Sequence, residues 1–120
     1  MTARSVLYLK PKPGCRAALI DVFVRLDVPG NAMKQDGCLS VELQALPAEM
    51  DDAAPLLVTA LWTHRAAYDG WLANPWRAES TAAIEPLLAE EPHGLVYDVI
   101  LAAGDPVAAR FAIDRDGSDD

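Results

Sequence analysis

The run Leu56-Leu57-Val58-Thr59-Ala60-Leu61-Trp62 constrains the chain more than any other segment. It is far too short to span a bilayer, which takes roughly 20 apolar residues. It is also too uniformly apolar for a strand with one wet face. Such a run reads as a central strand covered on both faces. The acidic loop Pro47 to Pro55, carrying Glu49, Asp51 and Asp52, leads into it. Thr63 follows as the expected N-cap of a helix over His64 to Ala73. A strand of this kind needs partners on either edge and a cover over each face.

The rest of the sequence supplies them. Ser5-Val6-Leu7-Tyr8-Leu9 is a β-type run closed by Lys10-Pro11-Lys12-Pro13-Gly14. Cys15, Leu19, Val22 and Leu26 then recur at helical spacing with Phe23 beside them, and Pro29-Gly30 reads as the stop. After the polar stretch Asn31 to Gly37, Leu39 to Gln44 alternates as a strand with one buried face. Asn74-Pro75 restarts a helix that runs to Ala83 or Ile84, with Pro86 disturbing its end. Leu95 to Leu101 is the last strand expected.

The order β-α-β-β-α(α)-β predicts an α+β, ferredoxin-like fold, a four-stranded antiparallel sheet with helices on one face. Val6, Tyr8, Leu57, Leu61, Val96 and Ile100 suggest apolar side chains on both faces of that sheet. A second sheet is the natural cover, so the expected assembly is a homodimer with sheets packed face to face. The domain is expected over residues 1–102, with 103–120 an acidic tail whose last residues are disordered.

Composition narrows the function classes. The chain has 120 residues, 52% of them hydrophobic, which fits one domain and excludes disorder as its general state. Ten Lys and Arg against eighteen Asp and Glu give a net charge of −8, which argues against nucleic acid or an anionic membrane as partner. The N-terminal segment has no secretory pattern, so a cytoplasmic location is expected. Cys15 and Cys38 make neither a disulfide framework nor a four-ligand metal site. His64 and His93 lie far apart without a Cys or carboxylate pattern around them, and no metal is expected. Cys15 reads as a small apolar residue on the helical stripe, and Cys38 as a thiol without a base beside it.

Three segments together resemble the antibiotic biosynthesis monooxygenase (ABM) superfamily. They are Lys12-Pro13-Gly14 before the first helix, Gly37-Cys38-Leu39-Ser40 at the second strand, and Leu61-Trp62-Thr63-His64-Arg65-Ala66-Ala67-Tyr68. The resemblance spans Val6 to Leu101. It implies a dimeric α/β barrel with a cavity between sheet and helices in each subunit. It further implies monooxygenases that use neither metal nor flavin and convert phenolic or anthrone-type polyketides to quinones. Trp62 and Tyr68 are the positions it assigns to face a substrate, as stacking wall and proton donor. The haem-degrading branch would need an Asn and a proximal His where this chain has Tyr8 and Leu72, so it fits poorly.

The other candidates come from helical spacing or, for Arg77 as an anion holder and for Val58, from what the resemblance implies. His64, Tyr68 and Trp71 share one helix face, and His64 is a candidate general base with a surface role as its alternative. Tyr8 and Trp71 are candidate aromatic walls. Arg77 is a candidate anion holder or a salt-bridged surface residue paired with Glu79 or Asp69. Val58 stands where the quinone-forming relatives carry an Asn. The expected partners are a small aromatic molecule and O2, with no cofactor. A non-redox ligand-binding or cyclase-like protein on the same barrel is the second reading.

Overall fold

A computed structural model describes residues 1–104. The elements are β1 (Ala3–Leu9), α1 (Arg16–Arg25), α2 (Val28–Met33), β2 (Cys38–Gln44), β3 (Leu56–Trp62), α3 (Arg65–Leu72), α4 (Trp76–Ile84), a 3-10 turn over Glu85–Leu87, and β4 (His93–Asp98). The sheet order is β2-β3-β1-β4, and every pairing is antiparallel. The fold is the ferredoxin-like α+β plan expected, and the apolar run Leu56–Trp62 is one of its two central strands.

Register decides which side chains face the helices. Ala3, Ser5, Leu7 and Leu9 on β1 pair with Trp62, Ala60, Val58 and Leu56 on β3, and opposed residues share a face. That face packs against the helices. Leu9 and Leu56 join Leu19, Val22 and Phe23 of α1, Val28 of α2, Ile84 and Leu88 in the main core. Burying a side chain such as Leu19 completely contributes about 2 kcal/mol. A smaller cluster of Ala60, Trp62 and Ala67, with Val41, Tyr68 and Trp71 beside it, occupies the other end of the same face. The opposite face carries Val6, Tyr8, Leu57 and Leu61 as expected, together with Leu95 and Tyr97 of β4. Val96 instead pairs with Ser5 and turns toward the helices, while Ile100 lies beyond the strand.

Four local expectations are corrected. Pro29-Gly30 is not a stop but part of the first turn of α2. Asp27, in the left-handed region at φ 48°, accepts from the Gly30 N–H at 3.1 Å, and proline is welcome at a helix start because it lacks an N–H to satisfy. Cys15 is the residue before α1 rather than part of its stripe. His64, not Thr63, caps α3, its Nδ1 accepting from the Ala67 N–H at 3.2 Å. The last strand begins at His93 and ends at Asp98, because β1 offers its register only from Tyr8 back to Ala3. His93 is thus a strand residue opposite Tyr8. The tail expected from residue 103 falls, from residue 105 onward, outside the described residues.

Candidate functional site

A cavity of about 50 Å3 lies between sheet and helices where the two clusters meet. Each element contributes by its own periodicity. β1 sends in Ser5 and Leu7, β3 sends in Val58, Ala60 and Trp62, and β2 sends in Val41, all by alternation. α2 closes one side with Val28 and Ala32. Helical spacing places Tyr68 and Trp71 of α3 on one face, and Arg77 enters from the first turn of α4. Ser5, Ala60 and Trp62 are buried and form the floor, whereas Tyr68, Trp71 and Arg77 are half-buried and form the mouth.

The aromatic walls touch one another. The Trp62 and Tyr68 rings have centroids 5.7 Å apart and tilt by 55°, a favourable edge-to-face relation. The Arg77 guanidinium carbon lies 5.9 Å from the Trp71 ring centre, and one of its nitrogens donates to the Leu72 carbonyl at 3.3 Å. Among the described residues, the ion pairs are Asp21–Arg25 and Arg65–Asp98, so Arg77 is held by an aromatic face and a carbonyl rather than by Glu79 or Asp69. The Trp62 Nε1–H donates to Ser5 Oγ at 3.0 Å, in the buried floor.

Tyr68 and Arg77 bring donors to this lining, while Ser5 Oγ accepts from the indole of Trp62. Burial pushes the Tyr68 phenol up from its ordinary value, the nearby Arg77 cation pulls it down, and Asp69 adds to the rise. Tyr68 therefore stays a neutral phenol at neutral pH, able to donate. Arg77 is a permanent cation. Among the described residues, no carboxylate or imidazole lines the cavity to take up a proton. Donors such as Tyr68 and Arg77 can meet negative charge on a bound oxygen.

Trp62, Tyr68, Val58, Trp71 and Arg77 are thus brought together. His64 is not among them. Its ring caps α3 and faces a separate polar hollow with Gln35, Asp36 and Thr63. Tyr8 is not among them either. It lies on the far side of the sheet, 6.1 Å from the His93 ring, beside an apolar hollow lined by Leu46, Pro55 and Leu57. Strand alternation is the reason, since Ser5 and Leu7 take the inward positions. Ser5 is the floor residue that sequence reasoning passed over. The available signal was the requirement that a buried indole N–H find an acceptor.

Cys38 packs at the edge of this cluster with its Sγ 3.7 Å from Met33 Sδ, and burial pushes its thiol up to about 11, partly offset by a backbone hydrogen bond at Ser40. A thiol that high is a poor nucleophile. Among the described residues, no three His, Cys, Asp or Glu side chains gather as a metal site, and no helix is long and apolar enough to cross a membrane.

Solved structures with the same fold share little sequence with this chain. Rv0793 from Mycobacterium tuberculosis superimposes with a TM-score of 0.71 at 20% identity, covering 87% of this chain and 100% of that one. SnoaB, a cofactor-independent oxygenase from Streptomyces nogalater, gives 0.70 at 18% identity, covering 87% and 98%. A conserved protein from Methanosarcina mazei gives 0.66 at 17%, covering 81% and 91%. No curated protein matches the sequence significantly. The family signature, by contrast, extends over more than half of the chain. The profile described as Antibiotic biosynthesis monooxygenase matches residues 3–79, from the first residue of β1 into α4, and the chain belongs to that family.

Proposed function

We propose that the chain is a cofactor-independent monooxygenase that oxidises a small polycyclic phenol or anthrone to a quinone with O2, acting in secondary metabolism as a cytoplasmic homodimer. The observation that carries this reading is the chemistry of the cavity lining. Aromatic walls suit a planar ring, and the donors Tyr68 and Arg77 suit an oxygen that gains negative charge. Such a substrate brings most of the chemistry itself. Loss of its acidic proton to water at the mouth leaves an enolate, which passes one electron to O2. The radical pair recombines as a peroxide anion, which takes a proton back from water to become a hydroperoxide. Loss of water then leaves the new carbonyl, so one oxygen atom of O2 enters the product and the other leaves as water. The protein contributes a dry, apolar enclosure and fixed dipoles around the anion. SnoaB, by its description a cofactor-independent oxygenase, supports the reading through its shared fold.

Size sets a condition on entry. An apolar cavity of about 150 Å3 accepts a single benzene ring, and this one offers about 50 Å3. A ring therefore enters only when the half-buried mouth residues Tyr68 and Trp71 swing outward, as in a closure that follows binding. The test is oxygen consumption with dithranol in chelator-treated, cofactor-free buffer. Enzyme-dependent uptake that drops by about tenfold or more in Trp62→Phe or Tyr68→Phe is expected. Uptake no faster than autoxidation overturns the oxygenase reading. Binding of phenols without uptake would then favour the non-redox ligand-binding or cyclase-like role, which the lack of a base in the lining already suits.

A further inference from the structure

At the floor of the cavity the Ser5 hydroxyl has, among the described residues, no acceptor for its proton. An indole nitrogen can only donate, so in the 3.0 Å bond between Trp62 Nε1 and Ser5 Oγ the serine oxygen is the acceptor. The serine proton must then go elsewhere. Among the described residues, the hydrogen bonds include none in which the Ser5 hydroxyl donates. Ser5 is 7% exposed and lines the cavity, between Leu7 and Ala60, whose side chains have no polar atom. Its backbone is fixed on both edges, opposite Ala60 of β3 and Val96 of β4.

We infer that Ser5 is a substrate-binding residue, the donor that meets a ring oxygen of the bound phenol at the floor of the cavity, with Trp62 acting on that oxygen through Ser5. This rests on the phenol-oxidising reading and adds a residue to it. A hydroxyl whose oxygen already accepts a hydrogen bond donates more strongly. Its bond to an ionised oxygen is stronger again than to a neutral one. Trp62 therefore has two tasks. Its ring face stacks against the substrate, and its one N–H is committed to Ser5. Together with Tyr68 and Arg77 at the mouth, Ser5 makes a set of three donors that selects the ionised form of the ligand over the neutral form.

The selection is measurable without turnover. The chromogenic phenol 4-nitrophenol reports its own ionisation by visible absorbance, so a pH titration with and without protein gives the preference of the site for phenolate over phenol. Wild type is expected to prefer phenolate. Ser5→Ala is expected to reduce that preference by about tenfold. Ser5→Thr keeps the hydroxyl on a residue well suited to a strand and is expected to retain it. Trp62→Phe removes the bond that polarises Ser5 and is expected to fall between the two. A preference unchanged in Ser5→Ala, or lost equally in Ser5→Thr, overturns the role of Ser5 while leaving a phenol site. Full preference in Trp62→Phe overturns the relay through Ser5. Failure of wild type to bind 4-nitrophenol overturns both this inference and the reading it rests on. Phenolate binding that depends on Ser5, with no oxygen uptake from any anthrone, overturns the oxidative reading alone.

Discussion

Two glycines at positive φ separate backbone strain from crowding. Gly14 has φ 78° and open space where a Cβ would be. Gly37 has φ 86°, and a Cβ there would meet the Ala67 Cβ at 2.6 Å and Thr63 Oγ1 at 2.8 Å. Its carbonyl also accepts from the Thr63 N–H at 2.8 Å, so the turn cannot move without releasing the start of α3. Gly14→Ala is expected to cost about 1 kcal/mol from the left-handed backbone alone. Gly37→Ala is expected to cost about 3 kcal/mol, because crowding adds to the same strain. Urea denaturation of the two variants checks this, and equal losses would contradict it. At this scale the sequence was informative where a residue's type and spacing both point to one face. Trp62 was singled out through the family resemblance, whereas Tyr68 and Trp71 were legible on those grounds. Tyr8 and His64 were not, because an aromatic or an imidazole is equally at home on either side of a strand or at a helix end. Only the register of β1 and the capping bond of His64 decide.

At the scale of elements, α3 is the part of the site with least support from the core. It rests on the sheet through Ala67, and its two ends are tied by the His64 cap, the 3.2 Å Arg65–Asp98 pair, and the weak contact between Asn74 and Gln35 at 3.4 Å. The exposed ion pair adds little. The cap matters more, since the N–H groups of a first turn have no partners within the helix. His64→Ala is expected to lower stability by about 1 kcal/mol, and Thr63→Ala by less than half as much. Chemical denaturation distinguishes them, and the reverse ranking would return the cap to Thr63. The bounds of β4 were set by pairing with β1, whereas β2 and α1 were readable from periods of 2 and 3.6 and β3 from its unbroken apolar run. α2 was not, since Val28-Pro29-Gly30-Asn31-Ala32-Met33 is short and its proline and glycine serve equally in a turn. What makes it a helix is the Asp27 cap and the burial of Val28 and Ala32 against the sheet, which are tertiary facts.

At the scale of the whole molecule, the sheet face away from the helices is the unfinished part. Tyr8, Leu95 and Tyr97 on it are 37%, 39% and 51% exposed, an arrangement that favours pairing with a second sheet. Sedimentation at micromolar concentration is expected to give twice the 12.9 kDa of one chain. Leu95→Glu, which places a charge on that face beside Val6, on the edge strand β4, is expected to shift the population to monomer. A wild-type monomer under the same conditions would contradict the dimer. The alternation of β1 and β3 gives this face a second meaning. Ser5 and Leu7 point into the cavity while Val6 and Tyr8 point away from it, and Ala60 and Trp62 alternate with Thr59 and Leu61 in the same way. Cavity floor and outer face are therefore the two sides of one ladder, a single peptide unit apart. Linkage is reciprocal, so if a ligand held by Ser5 and Trp62 changes the strength of the proposed sheet-to-sheet association by some factor, association changes the ligand's affinity by the same factor.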